Sequence, residues 1–239
     1  MSALDFVHLY QPPQSGDGER VLLLLHGTGG DESDLLPLGR ELDPAAALVS
    51  PRGKISENGA ARFFRRLAEG VFDEEDVVRR AHELADFVGA AAANYGFDAA
   101  RVTAVGYSNG ANIAAAVLLL RPETFCGAIL FRAMVPLSQP PVSVELKGKR
   151  VMISAGADDP IVPTENAERL AGLLRERGAE ITLLVQEAGH GLVRADLRAA
   201  KDWLRKYRRG NAECGSRKAN FGKCVALRRL DSDSSKPRG

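Results

Sequence analysis

Cysteine is scarce in this sequence: Cys126, Cys214 and Cys224 are the three in 239 residues. An odd count with no CxxC spacing excludes a disulfide framework and argues against a zinc site. Cys126 precedes an apolar run and is expected to be a buried thiol; the other two lie in a polar tail, where they read as reduced thiols, with a bridge under oxidation the alternative. Charge of one sign is lacking as well, since 32 Lys and Arg nearly cancel 31 Asp and Glu. No overall field then points to nucleic acid or to an anionic membrane. No apolar run approaches the ~18 residues that span a bilayer, so stable membrane insertion is not expected. The longest dense stretch, Ile113 to Leu120, reads as a buried helix. The opening MSALDFVHLYQPPQ has no basic-then-apolar leader pattern. A cytoplasmic globular protein is the expectation.

What is present has a regular order. The hydrophobic fraction is 45%, ordinary for a globular domain. Strand-length apolar runs at Val21–Leu25, Ala47–Ser50, Val102–Tyr107, Ala128–Phe131, Val151–Ala155 and Ile181–Gln186 alternate with helix-length amphipathic segments. That alternation predicts an α/β fold with a mostly parallel central sheet covered by helices on both faces. Phe6–Tyr10 is a candidate antiparallel edge strand. Helices are expected over Asp76–Tyr95, stopping at Gly96; over Ala111–Leu120; and from an N-cap at Thr164 to a stop at Gly178. The last helix carries Leu197, Ala200, Trp203, Leu204 and Tyr207 on one side.

Beyond it the composition changes. Residues 208–239 hold nine Lys and Arg against three Asp and Glu, with Gly, Ser and Asn and no periodicity. Too little apolar content is left to order such a segment. Residues 1–207 are read as the catalytic domain and 208–239 as a solvated basic extension.

Four short motifs carry chemistry. Gly106-Tyr107-Ser108-Asn109-Gly110 follows the run VTAV and precedes the helix ANIAAA. In that context the pattern reads as a nucleophile elbow, a tight turn that needs small residues on both sides of the serine. His26-Gly27-Thr28-Gly29-Gly30 follows LLLL, where main-chain N–H groups can turn toward a carbonyl oxygen. The main chains of Thr28 and Asn109 are the expected oxyanion donors. His26 precedes the serine and is better read as a histidine fixing its own loop. Ala157-Asp158-Asp159-Pro160 ends another strand. Its carboxylate would set a histidine tautomer; Asp159 is favoured because Pro160 stiffens the turn, and Asp158 takes the role if the loop turns one residue earlier. His190, between Gly189 and Gly191, follows both residues in the chain, whereas His8 and His82 read as surface or packing residues. The order Ser108, Asp159, His190 is that of the α/β-hydrolases.

On these motifs the sequence closely resembles the phospholipase/carboxylesterase family of small α/β-hydrolases, which includes bacterial carboxylesterases and acyl-protein thioesterases. The matching runs are LLHGTGGDESDL (24–35), RFFRRLAEGVFDEE (62–75), GYSNGAN (106–112), ADDPIVP (157–163) and GHG (189–191). The resemblance implies ester hydrolysis by Ser108, His190 and Asp159 on a small-molecule ester, with no metal and no organic cofactor. It does not choose between carboxylesters, thioesters and lysophospholipids. The tail from Arg208 has no counterpart in it.

Clues to the substrate are indirect. Pro136 to Arg150 is a fifteen-residue connection, too short for a large lid, which favours short- to medium-chain acyl esters. Phe63, Phe64, Phe72, Phe131 and Met134 are candidates for an apolar groove, with core packing the competing reading. Arg62, Arg65 and Arg66 are read first as a charged helix face and second as receivers of an acidic group. A homodimer stays open.

Overall fold

The computed structural model describes residues 4–14 and 20–207. In chain order the elements are β1 (His8–Gln11), β2 (Val21–Leu25), α1 (Leu36–Leu42), β3 (Ala47–Pro51), β4 (Ile55–Glu57), β5 (Ala60–Arg62), β6 (Arg66–Ala68), β7 (Val71–Phe72) and α2 (Glu74–Tyr95). Then follow β8 (Val102–Tyr107), α3 (Asn109–Leu120), β9 (Gly127–Phe131), β10 (Arg150–Gly156), α4 (Thr164–Glu176), β11 (Glu180–Gln186) and α5 (Arg194–Lys206). All six expected buried strands form one sheet, ordered β1-β3-β2-β8-β9-β10-β11. Only β1 runs antiparallel, against β3.

Strands β2, β3, β8 and β9 are buried along nearly their whole length, because helices cover both faces. Helices α2, α3 and α4 pack on one face and α1 and α5 on the other, giving two core layers. Helix α3 is buried on almost every side, so its alanines let it sit close to both the sheet and α2. Helix α2 begins two residues earlier than its apolar pattern suggests. Asp73 caps it, accepting the Asp76 N–H at 3.2 Å, and three acids in its first turn favour the positive end of the helix dipole. Thr164 is the first residue of α4; the cap position falls to Pro163, with no side-chain cap bond.

The α/β architecture is as expected, and three further details differ. Helix α1 has only seven residues, too few for a periodic signal. Cys126 is half-buried, its Sγ 3.5 Å from Thr103 Oγ1. Residues 55–72 form two small antiparallel hairpins, β4–β5 and β6–β7, so Arg62, Arg65 and Arg66 do not share a helix face. No helix among the described residues is long and apolar enough to cross a membrane. The expectation for 208–239 concerns residues outside those described, as do Cys214 and Cys224.

Between β2 and β8 the strand order reverses direction, for the chain steps from β2 outward to β3 and then returns across it to β8. Loops leaving neighbouring strands there diverge and leave a crevice at the carboxyl ends. Leu25 pairs with Gly106 in register, which sets the loop after β2 beside the turn after β8.

Candidate active site

Ser108 sits on the sharp turn between β8 and α3 with φ 52° and ψ −114°, a conformation that costs a non-glycine residue free energy. The turn is closed by backbone: Ser108 N–H donates to Phe131 O at 2.9 Å and Asn112 N–H to Ser108 O at 3.0 Å. The flanking glycines are steric necessities. A Cβ on Gly106 would lie 2.6 Å from Ala111 Cα, and one on Gly110 only 2.0 Å from Leu25 O.

The hydroxyl meets a relay. Ser108 Oγ lies 3.0 Å from His190 Nε2, and His190 Nδ1 lies 2.8 Å from Asp159 Oδ2. A carboxylate only accepts, so Nδ1 carries the proton and Nε2 is left to accept from the serine. The other oxygen, Asp159 Oδ1, accepts the N–H groups of Ile161 and Val162 at 2.8 and 3.0 Å. Asp158 is exposed, whereas Asp159 is buried.

His190 is held from behind by residues that carry no motif. Arg132, fully buried and at φ 55° just past β9, forms a two-pronged ion pair with buried Asp196, at 2.8 and 3.1 Å. Its remaining N–H groups reach the carbonyls of Gly189 at 3.0 Å, Gly191 at 2.9 Å and Ser154 at 3.1 Å. One guanidinium thereby grips both neighbours of His190. Ser154 Oγ donates to Asp196 at 2.6 Å and completes the network. Tyr107 adds a hydroxyl donated to His190 O at 3.2 Å; burial pushes its pKa up, which keeps it a donor. Sequence reasoning missed this support. An arginine directly after an apolar strand was its one trace.

In the loop after β2, the N–H groups of Gly29 and Gly30 are spent on Ala61 O and Gly27 O, at 2.9 and 3.2 Å. The Thr28 N–H, next to them, is not committed to a backbone carbonyl among the described residues. The Asn109 N–H opens α3, where no acceptor exists within the helix. His26 fixes the loop: its Nε2 accepts the Gly53 N–H at 3.0 Å, so Nδ1 carries the proton and donates to Gly27 O at 2.6 Å. Burial pushes its pKa below the usual histidine value.

A cavity of about 260 Å³ opens over Ser108 and His190. Met134 and Phe72 line it as expected, with Ile161 and Val162. Phe63, Phe64 and Phe131 do not. Phe131 follows Leu130 on β9 and so points to the opposite face, into the layer under α5. Phe63 and Phe64 turn inward beneath the hairpins; Phe63 packs on His26 and Phe64 supports the wall residue Phe72, with ring centroids 4.8 and 5.0 Å apart. Arg62 and Arg66 stand in the cavity wall instead. Among the described residues no group of three or more His, Cys, Asp or Glu is placed to hold a metal ion.

Comparison with known proteins agrees with this architecture. The family model described as Phospholipase/Carboxylesterase matches residues 13–208. MhqD of Bacillus subtilis (strain 168), a protein named as a hydrolase, is 46% identical over 199 residues, covering 83% of this chain and 98% of that one. The crystal structure of the Bacillus cereus carboxylesterase superposes with a TM-score of 0.82 at 44% identity, over 84% of this chain and 94% of the other. A carboxylesterase from Mesorhizobium loti gives 0.80 at 32% identity, over 86% and 97%. Nearly the whole described chain takes part in each match, and the chain belongs to the phospholipase/carboxylesterase family of hydrolases.

Proposed function

We propose that this hydrolase is a serine carboxylesterase acting on short- to medium-chain carboxylic esters through an acyl-enzyme. The observation that carries the reading is the continuous relay from Ser108 Oγ through His190 to Asp159, at 3.0 and 2.8 Å. His190 Nε2 takes the hydroxyl proton as Ser108 attacks the ester carbonyl. The main-chain N–H groups of Thr28 and Asn109 receive the charge that develops on the carbonyl oxygen. His190 then returns the proton to the leaving alcohol. A water, activated by the same nitrogen, releases the acid and restores the serine. Asp159 holds the imidazole in its working tautomer and stabilises the imidazolium. The modest cavity, below the usual range for drug-sized ligands, suits small acyl groups.

A fluorophosphonate probe on the full chain tests the assignment. One labelled site is expected, lost in Ser108→Ala, with kcat on a p-nitrophenyl acyl ester reduced by at least about four orders of magnitude. Labelling or turnover that survives the substitution removes Ser108 as nucleophile.

A further inference from the structure

The inner wall of the cavity is basic, a feature the relay does not use. Arg62 ends β5 with its side chain 4% exposed. Its Nε donates to Phe64 O at 3.2 Å and its Nη1 to Thr28 Oγ1 at 2.7 Å. A guanidinium has five N–H donors, so most of its outer edge is left for whatever enters. Arg66, half-buried on β6, lines the same cavity.

These two cations share one carboxylate. Glu57 lies 3.2 Å from Arg62 Nε and 2.9 Å from Arg66 Nε, but only the Arg66 contact is a hydrogen bond; Glu57 Oε2 accepts none. Burial, and then repulsion from Arg66, both push the Arg62 pKa down. Glu57 does not line the cavity, and the acid that does, Glu69, is exposed on the β6–β7 turn, where water screens it. Arg65, between the two, is satisfied elsewhere: it points away to Asp73 at 2.8 Å. The inner cavity therefore keeps a surplus positive charge, and a buried surplus is costly until an anion joins it.

The surplus also has an address. Arg62 is bonded to the side chain of Thr28, and the next residue, Phe63, donates its N–H to Asn109 Oδ1 at 2.7 Å. Both proposed oxyanion donors belong to residues clasped by this strand. A carbonyl oxygen held there would have Arg62 a few bonds away along the acyl chain.

We propose that the site prefers esters whose acyl chain ends in a carboxylate, received by Arg62 and Arg66. This rests on the carboxylesterase reading and names its substrate class: monoesters of short dicarboxylic acids. The charge-assisted contact adds binding that a neutral acyl chain of equal length lacks.

The test compares kcat/KM of the full chain on monoethyl glutarate and on ethyl pentanoate, which have the same acyl length. The unsubstituted protein is expected to favour the anionic ester by about tenfold or more, a preference that high salt weakens. Arg66→Gln should cut it to about twofold or less, mainly through KM, and Arg65→Gln should retain it. Arg62→Gln should remove it too; an equal loss on both esters would mean that Arg62 only holds Thr28, and its role as receiver falls. Equal rates on the two esters, or a preference for ethyl pentanoate, overturn the anion subsite and leave the esterase reading standing. Turnover of neither, with no fluorophosphonate label on Ser108, overturns the esterase reading itself.

Discussion

Two walls meet at the cavity, and they are built differently. One consists of the turns that leave β2, β8, β9 and β10, strands buried almost throughout. It holds Ser108, Asp159 and the grip of Arg132 on the His190 loop. The other is residues 55–72, two short hairpins whose outer side chains face water: Leu67 is 74% exposed and Val71 is 51%. Phe63 and Phe64 pin that second wall to the core, both nearly fully buried. The proposed reacting groups are thus mounted where burial and hydrogen bonds over-determine position. The groups facing the rest of the substrate sit on an outer layer tied down at a few points. Such a division lets the substrate preference change without disturbing the relay.

The largest effect should come from the rigid wall. Arg132→Met leaves the Asp196 carboxylate buried without its cation, and breaking a buried pair from one side costs about 3–5 kcal/mol. The carbonyls of Gly189 and Gly191 also lose their donors. Urea unfolding should register the loss of stability, and kcat on a p-nitrophenyl ester should fall more than KM rises, because His190 is displaced from Ser108. A variant as stable and as active as the parent would show that the histidine loop holds itself.

Legibility followed the same division. Five of the six expected strands were readable because burial on both faces makes apolar runs nearly continuous; β11, at the sheet edge, is only half-buried and was readable from its apolar residues alone. The relay was readable because a strained turn demands Gly106 and Gly110, and because chain order separates His190 from His26. The hairpins were not. Each strand has two or three residues, and their arginines imitate a helix face until Arg62 is seen to be buried. Arg132 and Asp196 lie 64 residues apart, and neither has neighbours in sequence that announce a buried pair. Phe63, Phe64 and Phe131 show the converse limit: an aromatic near a site in the chain belongs to the core as readily as to the groove.

A smaller effect concerns pH, and it falls on the joint between the walls. His26 links the loop after β2 to Gly53, and Phe63 packs on its ring. Burial lowers its folded pKa below the ordinary ~6.5. Between the folded pKa and ~6.5 the unfolded chain binds the extra proton, so stability there rises with pH. The neutral form contributes fully above ~6.5, and the contribution is lost as pH falls through that window. Melting temperatures of the parent and His26→Gln, measured from pH 7.5 down to 5, should converge on acidification. A gap that widens toward pH 5 would reverse the sign and mean that the folded state favours the imidazolium.

The smallest effect is expected on the outer wall, and it carries the most weight for the comparison. Leu67 lies on β6 between Arg66 and Ala68, exposed and outside the cavity lining. Its side chain buries little on folding, so little burial free energy is at stake. Leu67→Ser should therefore change unfolding free energy by no more than about 0.5 kcal/mol, with kcat/KM on a neutral ester near that of the parent. Phe64, in the same segment, is fully buried against Phe72, and Phe64→Ala should cost about 3–5 kcal/mol. A loss above about 1 kcal/mol for Leu67→Ser would place the hairpins inside the cooperative core. The outer wall would then no longer be a layer held by its anchors, and a change of substrate preference there would carry a stability cost.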